Sequence, residues 1–186
     1  MSSPYIIEDA RQLSCLASAV RQDLVDYIAA AGPCTIADAA RALGRPADGL
    51  YYHVSKLLEV GLLLRVGGPQ QPAVLDVPGR PIQATYPKRD GPERRALVRA
   101  VGAMFRSSAG RFEAALGPDA TTEGPFRDVH AARASGWLTQ DDLAELNRLK
   151  QRILELVGSH VGAPPAGSRL HEVTLVHSVV PIHGEC

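Results

Sequence analysis

The sequence has no net charge to offer: twenty basic residues are balanced by twenty acidic ones, so no overall basic footprint announces nucleic acid. It is also poor in cysteine. Cys15, Cys34 and Cys186 are odd in number and far apart, which outlines no disulfide framework and fits a reducing, cytoplasmic setting. No basic-then-apolar leader opens the chain, and the uncharged run from Val173 to Gly184 is too short and too polar to span a bilayer, so no membrane association is expected. A phosphate-cradling glycine loop, a serine elbow and a paired-carboxylate motif are all missing, which leaves catalysis without support and implies no cofactor. What remains is the composition of an ordinary globular protein, 45% hydrophobic and 22% charged over 186 residues, enough for a small domain plus an added helical element.

Charge is unevenly spread. Between Arg45 and Arg89 lie six basic residues (Arg45, Lys56, Arg65, Arg80, Lys88, Arg89) and three acidic ones (Asp48, Glu59, Asp76), a local excess of three positive charges. Helical periodicity surrounds this stripe. "EDARQLSCLASAVRQDLVDYIAAAG" predicts two helices, with Leu13, Leu16 and Ala17 on one face and Val20, Leu24, Tyr27 and Ile28 on another. Ser18 is placed to cap the second, and Gly32 with Pro33 ends it. "TIADAARALG" predicts a third helix stopped by Gly44, and Leu50, Val54, Leu57 and Leu58 define the buried stripe of a fourth. Two helices joined by a tight, glycine-containing turn form a helix-turn-helix. After Gly61 the apolar "LLLRVGG" predicts a strand near Leu62 to Val66, and a return strand is expected near Pro81 to Tyr86, with Arg80 at the tip of the long hairpin between them.

Beyond Gly91 the pattern changes. Leu97, Val98, Val101, Met104, Phe105 and Phe112 mark a helix of roughly two dozen residues, about twice the globular average. Leu143, Leu146, Leu149, Ile153, Leu154 and Val157 mark another, opened by Thr139 and Asp142 in the form of a capping box. "LHEVTLVHSVVPI" reads as a final strand. The expected fold class is therefore α+β, mostly α: a winged helix-turn-helix domain over 1–90, then a helical dimerisation or effector region over 91–186 with a C-terminal strand.

The pieces "ALG", "RPADG", "YYHVSKLLEVGLL" and "GRPIQATY", taken in order, resemble the ArsR-type winged helix-turn-helix family of bacterial transcription regulators. The resemblance runs from Leu13 to Tyr86, and "RASGWLTQDDLAELNRL" is similar to the C-terminal part of longer members. It implies a homodimer on double-stranded DNA, acting as a repressor, with a small-molecule effector as a possibility the family allows. A recognition helix must bury one face and offer the other to the major groove. That leaves Asp48, Gly49, Tyr51, Tyr52, Ser55 and Lys56 outward, with Arg45 at the preceding turn and Arg65 and Arg80 on the wing as the remaining DNA-contact candidates. Asp48 has two readings: a groove acceptor for cytosine, or a cap for the helix's free amides, the second preferred. Tyr51 and Tyr52 cannot share a face, so the alternative for one of them is partial burial against the wing.

His53 has Gly49 and Leu57 at i−4 and i+4, no partner for acid-base catalysis, and is expected to pack within the domain. Dimerisation is assigned to Leu97, Val101, Met104, Phe105, Leu146, Leu149 and Ile153, the alternative being that these residues cover one another within a monomer. No metal site is expected. Cys34 has no second cysteine nearby, and His171 and His177 on one strand would stand about 20 Å apart, too far to share an ion. A winged-helix module used for protein contact, consistent with the neutral charge and Asp48, is the competing functional reading.

Overall fold

The computed structural model describes residues 4–67, 73–162 and 164–179. Eleven elements follow one another among them: β1 (Tyr5–Ile7), α1 (Ala10–Cys15), α2 (Ala19–Ala31), β2 (Cys34–Thr35), α3 (Ile36–Ala42), α4 (Ala47–Glu59), β3 (Leu64–Val66), β4 (Val74–Asp76), β5 (Ile82–Ala84), α5 (Pro92–Ala115) and α6 (Gln140–Val157). The fold is mostly helical α+β, with a winged helix-turn-helix at the N-terminal end.

Local chemistry explains the helix boundaries. Asp9 caps α1 by accepting from the Arg11 amide, and Gly32 closes α2. Thr35 and Asp38 make a reciprocal capping box at the start of α3. After α3 the chain turns at Gly44 with φ +61°, a left-handed conformation that glycine adopts without the Cβ penalty. Leu24, Ile28, Ala39, Leu50, Val54, Leu57, Leu62, Leu63 and Leu75 then close a single core with almost no exposure, joined by Ile7, Leu13, Val77 and Ala96. Each large aliphatic side chain removed from water in this way contributes about 1.5–3 kcal/mol before the cost of ordering it.

The wing differs from expectation. The return strand of the hairpin is β4, antiparallel to β3 with Leu64 opposite Asp76 and Val66 opposite Val74, and β2 completes a three-stranded sheet in the order β2-β4-β3. Leu75 and Val77 decide this, because both are drawn into the core and place β4 at the sheet centre. The segment expected to return, β5, instead pairs in parallel with β1, Tyr5 opposite Ile82. The chain between β3 and β4 includes 68–72, which lie outside the described residues, and Arg80 follows β4 rather than lying between the two strands.

Helix α5 packs across α1 and α2, but through a different face from the one its large residues mark. Ala96, Ala100 and Ala103, spaced i, i+4, i+7, are the buried positions; their small side chains admit the close approach, and Gln22 Nε2 donates to the Ala100 carbonyl at 2.8 Å. Leu97, Val101 and Met104 stay partly open, and Val98, Phe105 and Phe112 are exposed. Helix α6 carries the expected Thr139–Asp142 capping box yet buries no residue at all. The final strand does not form within the described residues. A strand needs a ladder partner, and the segment around Glu172 and Thr174 instead lies along α5, where both side chains bond Ser108. Val180, His183 and Cys186 lie outside the described residues. No helix among the described residues is long and apolar enough to cross a membrane.

Candidate nucleic-acid interface

Helix α4 is held down by Leu50, Val54 and Leu57, all buried, which aims the opposite face at solvent. Tyr51 and Tyr52 are 57% and 63% exposed, so neither is folded against the wing. Ser55 is exposed beside them. A Cβ added at Gly49 would meet only Pro46 Cγ at 3.8 Å, an ordinary contact, so the fold itself does not require glycine there. Asp48 does not cap the helix: the N-cap is Pro46, which has no side chain able to accept, and Asp48 sits exposed in the first turn with no side-chain hydrogen bond among the described residues. Its charge still faces the positive end of the helix dipole.

The cationic candidates are placed unequally. Lys56 Nζ reaches Glu59 Oε2 at 2.8 Å, an exposed i,i+3 pair whose carboxylate raises the lysine pKa and whose ammonium lowers that of Glu59. Arg65 is exposed on β3. Arg45 turns back to Asp23 of α2, with Nη2 3.2 Å from Oδ2, while its side chain stays 41% exposed. Arg80 is taken up by the fold. Its Nε donates to the Ala29 carbonyl at 2.8 Å and its Nη2 to the Ile28 carbonyl at 3.1 Å, and it pairs with Asp76. Those carbonyls belong to the last turn of α2, so this guanidinium satisfies a helix C-terminus.

His53 packs edge-on to Tyr52, ring centroids 5.4 Å apart, and its buried Nδ1 has no hydrogen-bond partner among the described residues. Burial, then the nearby charges of Arg21 and Arg45, push its pKa below the usual imidazole value, so it is neutral near pH 7. That is a packing histidine.

Three basic residues escaped sequence reasoning. Arg11 and Arg21 line a cleft of about 370 Å³ with Tyr52, Lys56 and Glu59, directly beside the outward face of α4. Arg41 projects from the end of α3, paired among the described residues with Asp38 at 3.2 Å. Arg11 and Arg21 sit on separate helices, so no periodicity connects them; Arg41 was visible as the basic residue of the last turn of the third helix. Among the described residues no group of three or more His, Cys, Asp or Glu side chains could hold a metal ion.

A buried-face recognition helix, a preceding crossing helix and a β3–β4 hairpin on a three-stranded sheet define a winged helix-turn-helix module. A family described as "Helix-turn-helix domain" matches residues 16–66, from the residue after α1 through the end of β3. Among solved structures the multiple antibiotic-resistance repressor (MarR) of Listeria monocytogenes is similar at 14% identity and a TM-score of 0.28, over 75% of this chain and 74% of that one. That likeness is too low to bear on fold or function. No curated protein matches the chain.

Proposed function

We propose that this chain is a sequence-specific DNA-binding transcriptional regulator, a cytoplasmic homodimer that represses by occupying its operator. The observation that carries the reading is the outward face of α4, where Gly49, Tyr51, Tyr52 and Ser55 stand free of the core at the N-terminal and middle turns that a major groove admits. The tyrosine hydroxyls and Ser55 supply hydrogen bonds, Asp48 accepts from a cytosine amino group, and Lys56, Arg41, Arg45 and Arg65 neutralise phosphates. Arg80, occupied at the end of α2, has no part in the proposed contact set.

Residues 91–186 supply the second half of the reading. Leu97, Val101, Met104 and Phe105 on α5 are partly or largely open, and so are Leu146, Leu149 and Ile153 on α6. Their pairing between two copies would set two recognition helices on a two-fold axis, matching a palindromic operator.

Titration of the duplex lying upstream of its own coding sequence tests the proposal. Affinity should fall steeply with salt, by several ions released, and Lys56→Ala or Arg45→Ala should each weaken binding and reduce the salt slope by about one. Binding that is undetectable or indifferent to salt sinks the reading in favour of a winged-helix module for protein contact.

A further inference from the structure

A row of alternating charges runs from the helix-turn-helix to the C-terminal segment. It begins at Arg45, in the turn between α3 and α4, which bonds Asp23 Oδ2 at 3.2 Å. Asp23 lies on α2 with a side chain only 9% exposed. Its other oxygen, Oδ1, accepts from Arg111 of α5 and from the Ser107 hydroxyl at 3.2 Å. Arg111 turns a second nitrogen to Glu172, on the segment that runs back along α5. There the Ser108 hydroxyl donates to Glu172 Oε1 at 2.5 Å and lies 2.7 Å from the Thr174 hydroxyl.

One carboxylate thus serves two guanidiniums, and one guanidinium serves two carboxylates. A buried carboxylate left without a cation is strongly unfavourable, so Asp23 cannot give up both partners. It can give up one. Arg45 is the partner on the recognition side, and Asp23 is the only side chain bonded to its guanidinium among the described residues.

We propose that Asp23 is a positioning residue for Arg45, and that Glu172, through Arg111, sets how much of Arg45 is available to a phosphate. The proposal rests on the DNA-binding reading. With Glu172 docked, Arg111 is divided between two carboxylates and Asp23 draws on Arg45. With Glu172 withdrawn, Arg111 is left to Asp23 and the neighbouring Asp26, and Arg45 turns to the duplex. The C-terminal segment is then an autoinhibitory tether whose detachment tightens DNA binding.

The full chain carrying Glu172→Gln, Arg45→Ala or both is titrated against a labelled duplex from its upstream region, at fixed salt. Glu172→Gln should tighten binding about threefold, as expected for coupling within one charge network, and the gain should vanish in the Arg45→Ala background. Glu155→Gln, which removes a negative charge from exposed α6, controls for net charge and should leave affinity unchanged. Asp23→Asn should tighten binding further; should it fail to fold, the surface variant Glu172→Gln still decides. A gain from Glu172→Gln that persists without Arg45, that Glu155→Gln reproduces, or that is absent overturns the proposal. If none of these proteins binds duplex, the DNA-binding reading has failed instead. The relay is then read from a thermal-unfolding cycle of Arg45→Ala and Glu172→Gln, where strict additivity overturns it and coupling upholds the Asp23 linkage.

Discussion

Helices α4 and α6 are both amphipathic, 13 and 18 residues long, and they meet opposite circumstances. α4 loses Leu50, Val54 and Leu57 entirely into a core shared with α2, α3 and β4, whereas α6 buries none of its residues and leaves Leu149, Ile153, Leu154, Leu156 and Val157 open. An apolar stripe commits a helix to being covered without saying by what. The N-terminal module answers within one chain. Most of a helix's stability in a protein comes from packing its amphipathic face, so the order of α6 depends on whatever meets its exposed leucines.

The sharpest way to separate the two regions is to delete equal bulk from each. Leu57→Ala should cost about 2–5 kcal/mol and lower the thermal midpoint of the module, while Ile153→Ala should leave that midpoint in place. Equal losses would mean that α6 is part of the same cooperative unit. Next in size, Leu149→Asp combined with Ile153→Asp should convert a sedimenting dimer to monomer with the module's near-ultraviolet spectrum intact; a wild-type chain that sediments as monomer at tens of micromolar removes the dimer reading.

A smaller effect distinguishes structural from interfacial arginine. Arg80→Ala leaves the Ala29 carbonyl without a donor, takes one of two donors from the Ile28 carbonyl and removes the cation beside Asp76, and should cost about 1–3 kcal/mol in thermal unfolding, with duplex affinity of the folded protein unchanged. Lost affinity at full stability would return Arg80 to the interface. The smallest contrast lies in the two capping boxes. Hydrogen bonds from Thr35 and Thr139 lower the pKa values of Asp38 and Asp142. Their folded values lie below the unfolded one, so the stabilisation is present above about pH 4 and is lost as pH falls through the folded values. Helicity contributed by exposed α6 should therefore fade first in acid, ahead of packed α3, and Thr139→Ala should abolish that early change in the circular dichroism.

How much of this was legible follows from what each pattern encodes. Period and capping residues located the six helices found among the described residues, because both are local: Gly32, Gly44 and the Thr139 box act within one turn. Choosing among faces is not local. The large residues of α5 advertised one stripe, while the alanines that actually pack were silent, since alanine is compatible with either surface or core. Strand pairing failed for the same reason. Both Val74–Asp76 and Ile82–Ala84 could follow β3, and the short N-terminal strand that claims β5 gave no periodic signal in three residues. At the site, the exposed face of α4 followed from its buried one, but the fates of Arg45 and Arg80 depended on Asp23, Ile28 and Ala29 more than twenty residues away.

The parallel pairing of β1 with β5 has a mechanical side. Tyr5 donates to the Pro81 carbonyl at 2.9 Å, and the Thr85 amide donates to the Ile7 carbonyl at 3.0 Å, so the start of the module is laced to the strand that leads into α5. Because the two strands run the same way, tension between Tyr5 and α5 pulls them past each other along their length. The ladder bonds then share the load at once and cannot be unzipped singly, which makes this short pair a shear clamp between the first residues of the module and the helix that leaves it.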